Sequence, residues 1–420
     1  MIELRDRQRI IDDVLMLLML CISGNPAFVS FEPIGKIASG LMLVILIIAT
    51  QLKLKVRVLK QSAIWIGMLS VIFAAQYILL GEITVFGSLN FIVKMLCAIL
   101  FASLLGDRLP DTLMRVMTWV CIVSLVFYAI NLTGVRFTSP MDLKIKSECL
   151  IVYTQTWEDP LVKEPFRNSG MFWEPGAFAG YIIVTLLMFV DRLEVLWKKY
   201  LPGFIVLSVT LLTTFSTTGY ITFFLLVLFY TIKWGINNNK RIIAYAVVAA
   251  TIVAGVVAFN ELDFLGEKIQ RQYRSTENLK ETDVSNNRFG SIVFDLPYIM
   301  SHPVFGNGLA LSTRLRFHLG VYEIEDLDDF GNGFTGCIAS MGLLFMLAYL
   351  IAIGMNRSLD AKLLFIFIII LLLQGEYFLN YPFFMLFPFI QLGPIKERTR
   401  KKKRIKFVWK KDPGVELQSS

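Results

Sequence analysis

The chain has 420 residues, 55% of them hydrophobic and 18% charged, with a formal net charge of +8 and a mean hydropathy of +0.62. Apolar runs of bilayer length recur along it, and stretches such as Gly40 to Thr50, Ile205 to Tyr230 and Leu363 to Leu373 leave no polar face. That pattern argues against a soluble multidomain protein and predicts an all-α polytopic membrane protein, while two histidines, no Cys-x-x-Cys pair and no Walker-type loop argue against metal clusters and an ATP-driven pump.

About twelve spans are predicted, near 11–31, 34–52, 61–80, 87–106, 112–134, 171–190, 201–216, 219–235, 241–259, 333–355, 361–379 and 381–395. The first follows Arg5, Arg7 and Arg9 without a small-residue cleavage site, so it reads as a span and not as a signal peptide. An even number of spans puts both termini on one side. Segments 1–10, 52–61, 107–116, 191–200, 233–241, 356–362 and 396–411 hold 27 of the 41 Lys and Arg residues. The short opposite connections near 81–86, 216–219 and Asn380 hold none, so both termini are expected to be cytoplasmic.

The chain then divides into N-terminal membrane helices (1–134), an outer loop (135–170), central helices (171–259), a large outer loop (260–332), C-terminal helices (333–395) and a basic tail (396–420). Loops of that length between spans are where function is sought. The tail run Lys396 to Lys411 is expected to lie against anionic lipid, with RNA or partner binding the lesser alternatives. Of the five cysteines, Cys21, Cys97, Cys121 and Cys337 fall in predicted spans and only Cys149 in an outer loop, so no disulfide framework is implied.

Three segments stand out. RNSGMFWEPGAFAGY, Arg167 to Tyr181, carries an arginine, a glutamate and glycines straight into a span, where charge is expensive and marks function by default. NNRFGSIVFDLPYIMSHPVFGNGL, Asn286 to Leu309, joins an arginine to an amphipathic stretch and a His-Pro turn. DDFGNGFTGCIASMGLLF, Asp328 to Phe345, returns the second loop to the membrane, with Gly342 ten residues after Asn332.

In order and spacing these segments resemble the O-antigen polymerase and ligase superfamily, most closely its Wzy-type polysaccharide polymerases. The likeness rests on Arg-x-x-Gly-x-Phe-x-Glu-Pro-Gly from Arg167, on Arg288, and on His-Pro-x-x-Gly-x-Gly from His302. The ligase branch has a histidine where this chain has Gly331, so the resemblance favours a polymerase. It implies a GT-C-like, cofactor-free glycosyltransferase with two periplasmic loops in a bacterial inner membrane. Its substrate would be an undecaprenyl-diphosphate-linked oligosaccharide, and its partners membrane lipids and a Wzz-type chain-length co-polymerase, with no nucleic acid. A ligase, or a transporter of lipid-linked oligosaccharide, are the alternatives.

The residue types suit that chemistry. Cleaving a sugar–diphosphate bond needs the leaving charge neutralised, which arginine forks do without a metal. Arg167 and Arg288 are the first diphosphate candidates, and Arg314 and Arg316 the next, with pairing to Glu323, Glu325 or Asp326 competing. The proton of the attacking hydroxyl needs an acceptor, which a nearby carboxylate or the departing diphosphate can supply. Glu174 is the first choice, against a purely helix-capping role, and Asp329 beside Asp328 the second. Asn332 joins the substrate-binding set. His302, Pro303, Gly306 and Gly308 are expected to build a turn, and His318 to be surface. Asp326-Leu327-Asp328 spells a short metal-binding pattern, but no metal is expected. Trp157, Trp173 and Tyr181 are expected to anchor at the membrane boundary, Lys36 to snorkel, and Lys94 to face a cavity or a lipid phosphate.

Overall fold

The computed structural model describes residues 2–30, 32–50, 55–135, 147–150, 152–156, 166–261, 288–317, 332–359 and 361–394. They are almost wholly helical. The first half holds α1 (Ile2–Gly24), α2 (Pro26–Val29), α3 (Glu32–Ala49), α4 (Val56–Leu80), α5 (Val85–Leu105) and α6 (Leu109–Leu132). A small antiparallel hairpin follows, β1 (Ser147–Leu150) with β2 (Tyr153–Thr156), in which Ser147 faces Thr156. Then come α7 (Pro175–Leu187), α8 (Leu193–Lys199), α9 (Leu201–Thr213), α10 (Thr217–Asn237), α11 (Arg241–Glu261), α12 (Arg288–Ser301), α13 (Leu311–Arg314), α14 (Gly333–Met355), α15 (Lys362–Leu373) and α16 (Pro382–Met385).

The outward faces are apolar: Ile78, Ile242 and Leu363 are 80%, 85% and 84% exposed. Water would not tolerate such a surface, whereas lipid is its natural solvent, and the chain is membrane-embedded. Among the described residues four helices are long and apolar enough to cross a bilayer, or five if the pair α8–α9, bent by 96°, is one span. One of the four is the 48-residue run Val85–Leu132, which would extend roughly 72 Å if straight, more than twice a hydrocarbon core. Gly106, at φ +49, interrupts it, leaving α5 and α6 as two helices of bilayer length.

The regular twelve-span pattern expected from sequence is thus present only in part. The segment expected to span at 381–395 is instead α16 plus a 3-10 helix, Phe387–Leu392, buried on nearly every side. Pro382 and Pro388 lack backbone N–H donors and stop a continuous helix there. The span expected at 171–190 is the thirteen-residue α7, every residue of which is buried among α6, α9 and α10.

The two ends of the bundle differ. At one end, ion pairs join neighbouring segments: Arg108 to Asp12 at 2.6 Å, Arg115 to Asp13 at 2.5 Å, Lys199 to Asp111 at 3.0 Å, and Lys233 to Asp191. Their role is less in energy, about 1 kcal/mol or less for pairs that water reaches, than in fixing which segments meet. The basic partners, with Asp111 and Asp191, belong to the Lys- and Arg-rich connections that the sequence reading places inside, whereas Asp12 and Asp13 fall in the first expected span. At the other end lie the start of α3, the start of α5, the start of α14 and the 377–381 turn. If the charge rule sets the orientation, a cysteine at Glu82 in a cysteine-free background reacts with an impermeant maleimide added outside the cell. A cysteine at Asn238 reacts only after permeabilisation; the reverse pattern contradicts the orientation.

Candidate functional site

The second and third sequence segments form one structural unit. Gly342 interrupts α14 with φ +78 and ψ 168, a conformation costly for any residue with a Cβ. The backbone groups freed at that break are satisfied by the turn that follows α12. Leu343 N–H donates to Pro303 O at 2.8 Å, Asn307 N–H to Ala339 O at 2.8 Å, and Gly308 N–H to Ser340 O at 3.0 Å. The approach is so close that a Cβ on Gly342 would lie 2.1 Å from Val304 O, and one on Gly306 would lie 2.4 Å from Ser340 O. Gln76 of α4, 1% exposed, clamps both partners by donating to Phe305 O at 2.6 Å and Ser340 O at 2.9 Å. His302 Nδ1 lies 3.1 Å from Asn307 Oδ1, inside this turn.

The turn delivers Gly308 to Arg314 to the wall of a cavity of about 290 Å³ at the end opposite the ion-pair belt. Among the described residues three cations line it, each from a different element: Lys36 of α3, Lys94 of α5 and Arg314 of α13. Among the described residues no Asp or Glu lines it; amides and hydroxyls supply further polar groups, among them Asn90, Asn332, Asn380, Ser340 and Tyr377. Arg314, 7% exposed, is held by Asp295 of α12, which is fully buried and also accepts from Thr335 Oγ1 at 2.6 Å. Its guanidinium sits 5.0 Å from the centre of the Tyr298 ring. Lys94 Nζ is 3.4 Å from Asn380 Oδ1 and 5.5 Å from the centre of the Tyr381 ring. Such a wall can hold a compact anion by charge-assisted hydrogen bonds.

The first sequence segment docks beside the same end. Asn25 Nδ2 donates to Met171 O at 2.8 Å, Trp173 N–H to Gly24 O at 3.0 Å, and Tyr181 Oη to Ser23 O at 2.5 Å. Trp173 and Tyr181 are therefore not boundary anchors. Tyr181 is fully buried against Phe172, Phe378, Phe383 and Phe384, and Trp173 packs on Tyr381 at 4.9 Å while donating to Glu376 Oε2 at 3.1 Å. Their phenol and indole donors find partners in the core, which the sequence pattern could not show.

The remaining expected site residues divide. Arg314, Asn332 and Gly308 line the cavity, and so do Lys36 and Lys94. Asn332 also caps α14, accepting from Phe334 and Thr335 N–H at 3.1 Å, and it donates to Gln374 Oε1 at 2.9 Å. Arg167 is not in the cavity wall; its Nε donates to Thr214 O at 3.1 Å, by the α9–α10 turn. Arg288 is the first residue of α12. Arg316 lies with Nη2 3.3 Å from His302 Nδ1. Glu174 occupies the N-cap position of α7 in an extended conformation, without a capping bond from its carboxylate, and lies with Glu376 in the electrostatic surroundings of Tyr381. Trp157, His318, Glu323, Glu325, Asp326, Asp328, Asp329 and Gly331 lie outside the described residues. No cluster of three or more potential metal ligands occurs among the described residues.

Three residues escaped the sequence reading. Glu376 is an ionisable residue inside an expected span, a signal in itself. Gln76, in a span, and Asp295, in an amphipathic stretch, carried weaker signals because their partners are more than 200 and 19 residues away.

Compared with known proteins, the chain matches no protein-family model, no curated protein sequence and no solved structure. The likeness to the polymerase and ligase superfamily therefore rests on its three segments alone.

The packing at Gly342 is directly testable. Gly342→Ala adds a Cβ against Val304 O in a left-handed backbone and is expected to destabilise by about 2 kcal/mol or more. Gly40→Ala, with nothing within 4 Å of the added atom, is expected to be neutral or slightly stabilising. Thermal unfolding of the detergent-purified variants measures both, and equal midpoints contradict the docking.

Proposed function

We propose that this chain is a membrane-embedded glycosyltransferase of the lipid-linked type. It transfers a growing glycan from undecaprenyl diphosphate to the terminal sugar of the next lipid-linked repeat, at the periplasmic face of a bacterial inner membrane. The observation that carries the reading is the convergence of the turn at 302–308, the α14 break and Arg314 on one cavity whose described wall carries Lys36, Lys94 and Arg314. A leaving diphosphate needs that environment, because its developing charge is stabilised by donors already in place and needs no metal.

In this reading the cations hold the donor's diphosphate while the acceptor hydroxyl attacks the anomeric carbon, and the carbon–oxygen bond to the diphosphate breaks. The acceptor's proton passes to a carboxylate, Glu174 or Asp329, or to the departing diphosphate. Arg167, held at the α9–α10 turn, would then act on the glycan or on loop order. A ligase would use the same donor half of the site, and only the acceptor separates the two. A transporter is less well supported, since the cavity charges sit at one end of the bundle.

Incubating purified protein with a lipid-linked repeat unit is expected to give a ladder of products. Arg314→Gln is expected to lower turnover by about a hundredfold or more, as for loss of an oxyanion-stabilising donor. Glu174→Gln is expected to lower it by roughly the same factor if Glu174 is the base. Transfer of a single block to a foreign acceptor, with no ladder, would identify a ligase, and no transfer at all contradicts the proposal.

A further inference from the structure

α1 and α6 leave an apolar slot of about 430 Å³ between them, and Leu17 and Trp119 stand exposed along it. Its walls extend over eight residues of each helix, from Asp13 to Cys21 and from Arg115 to Val123, which at 1.5 Å per residue is about 12 Å. Met171 closes the far end, where its carbonyl accepts from Asn25 Nδ2 at 2.8 Å just beyond α1. Val152 of the β1–β2 hairpin closes it from the α6 side, where Asn131 Nδ2 donates to Tyr153 Oη at 3.1 Å. Among the described residues the slot's only charged groups are Asp13 and Arg115, together at the near end. Arg115 donates from Nη2 to Asp13 Oδ1 at 2.5 Å and from Nε to Oδ2 at 3.2 Å, and its Nη1 takes part in neither bond. Both side chains are partly exposed, so the mouth of an apolar slot presents one positive and one negative group side by side.

We propose that this slot binds one phosphatidylethanolamine from the leaflet at the ion-pair end of the bundle. One acyl chain lies between α1 and α6, the phosphate meets Arg115 and the ammonium meets Asp13. A concave apolar surface in a bilayer does not stay empty, because an unfilled slot forfeits the dispersion contacts of its whole lining. The space is roughly that of one turn of an α-helix, about 10 Å across and about 5.4 Å long, so a helix of a second copy cannot lie along it, whereas a single alkyl chain can. The ion pair then selects among lipids. A head group whose only charge is its phosphate meets Arg115 favourably but also meets the carboxylate beside it, while one with a phosphate and a primary ammonium matches both. If the charge rule sets the orientation, the leaflet is the cytoplasmic one. By touching α1, α6, the hairpin and Met171 at once, the lipid joins segments that are far apart in sequence. The inference does not depend on the glycosyltransferase reading.

The test uses the full-length protein, stripped of lipid in detergent and titrated with phosphatidylethanolamine, phosphatidylcholine and phosphatidylglycerol of matched chains. Thermal stabilisation is the readout, and native mass spectrometry counts the lipid retained. Phosphatidylethanolamine is expected to raise the midpoint at about tenfold lower concentration than either of the others, as for a hydrogen bond to a charged group. Phosphatidylcholine has no N–H to donate to Asp13, and phosphatidylglycerol has no cation to offer it. Asp13→Asn is expected to put phosphatidylglycerol first, because Arg115 then lacks its counter-charge. Leu17→Trp, at an exposed position of the slot, is expected to abolish lipid retention and leave the midpoint of the stripped protein unchanged. Equal stabilisation by the three lipids, an order that Asp13→Asn leaves unchanged, or lipid still retained by Leu17→Trp overturns the proposal. If either variant fails to fold, the order of the three lipids on the wild-type protein decides alone.

Discussion

The interaction on which the candidate site depends is the docking of one backbone onto a break in another. α14 cannot run straight through Gly342, and the carbonyls and amides released there find their partners in the turn 303–308. Because those bonds are backbone to backbone, they fix the register of the whole 302–317 segment against α14 and not merely the place of one side chain. Gly306 and Gly342 permit the approach, Gln76 holds it from the α4 side, and Arg314 reaches the cavity as a result. The resemblance motif thus has a physical meaning: its glycines are contact surfaces, and its histidine and asparagine hold the turn closed.

Around that joint the chain keeps two kinds of charge apart. At one end, acidic and basic side chains of neighbouring segments pair and neutralise each other. At the other, among the described residues, three cations and no acid line a cavity wall, and Asp295 holds one of the three from behind. The paired end needs nothing further to be stable in contact with head groups and water. Cations gathered in a partly enclosed wall favour an anion there, which is the property an anion site requires.

Much of the fold was legible because bilayer-length apolar runs are a strong signal. The expected span at 333–355 coincides with α14, and that at 61–80 falls within α4. Legibility failed where hydrophobicity and regular structure part company. PFFMLFPFI reads as a span by composition, but its prolines leave only short helical pieces packed inside the protein. α1 begins at Ile2, well before the apolar run, because a charged first half can extend a helix beyond the membrane. At the site, single residues were visible as types and their associations were not. Lys94 stood out as a cation within a span, yet nothing local in the sequence places it beside Lys36, 58 positions away, or Arg314, 220 positions further on. Asp295 and Arg314 form a pair that only the tertiary fold makes. Trp173 and Tyr181 look like interface aromatics until their ring partners are known.

Where an anionic lipid-linked substrate puts its phosphorus atoms decides whether this cavity is the donor site. A cryo-electron-microscopy map of the protein with a bound prenyl diphosphate answers that directly. The phosphorus density is expected between Lys36 Nζ, Lys94 Nζ and the Arg314 guanidinium, with the prenyl chain leaving toward lipid. Phosphorus density beside Arg167 and the α9–α10 turn, with the cavity unfilled, would contradict it.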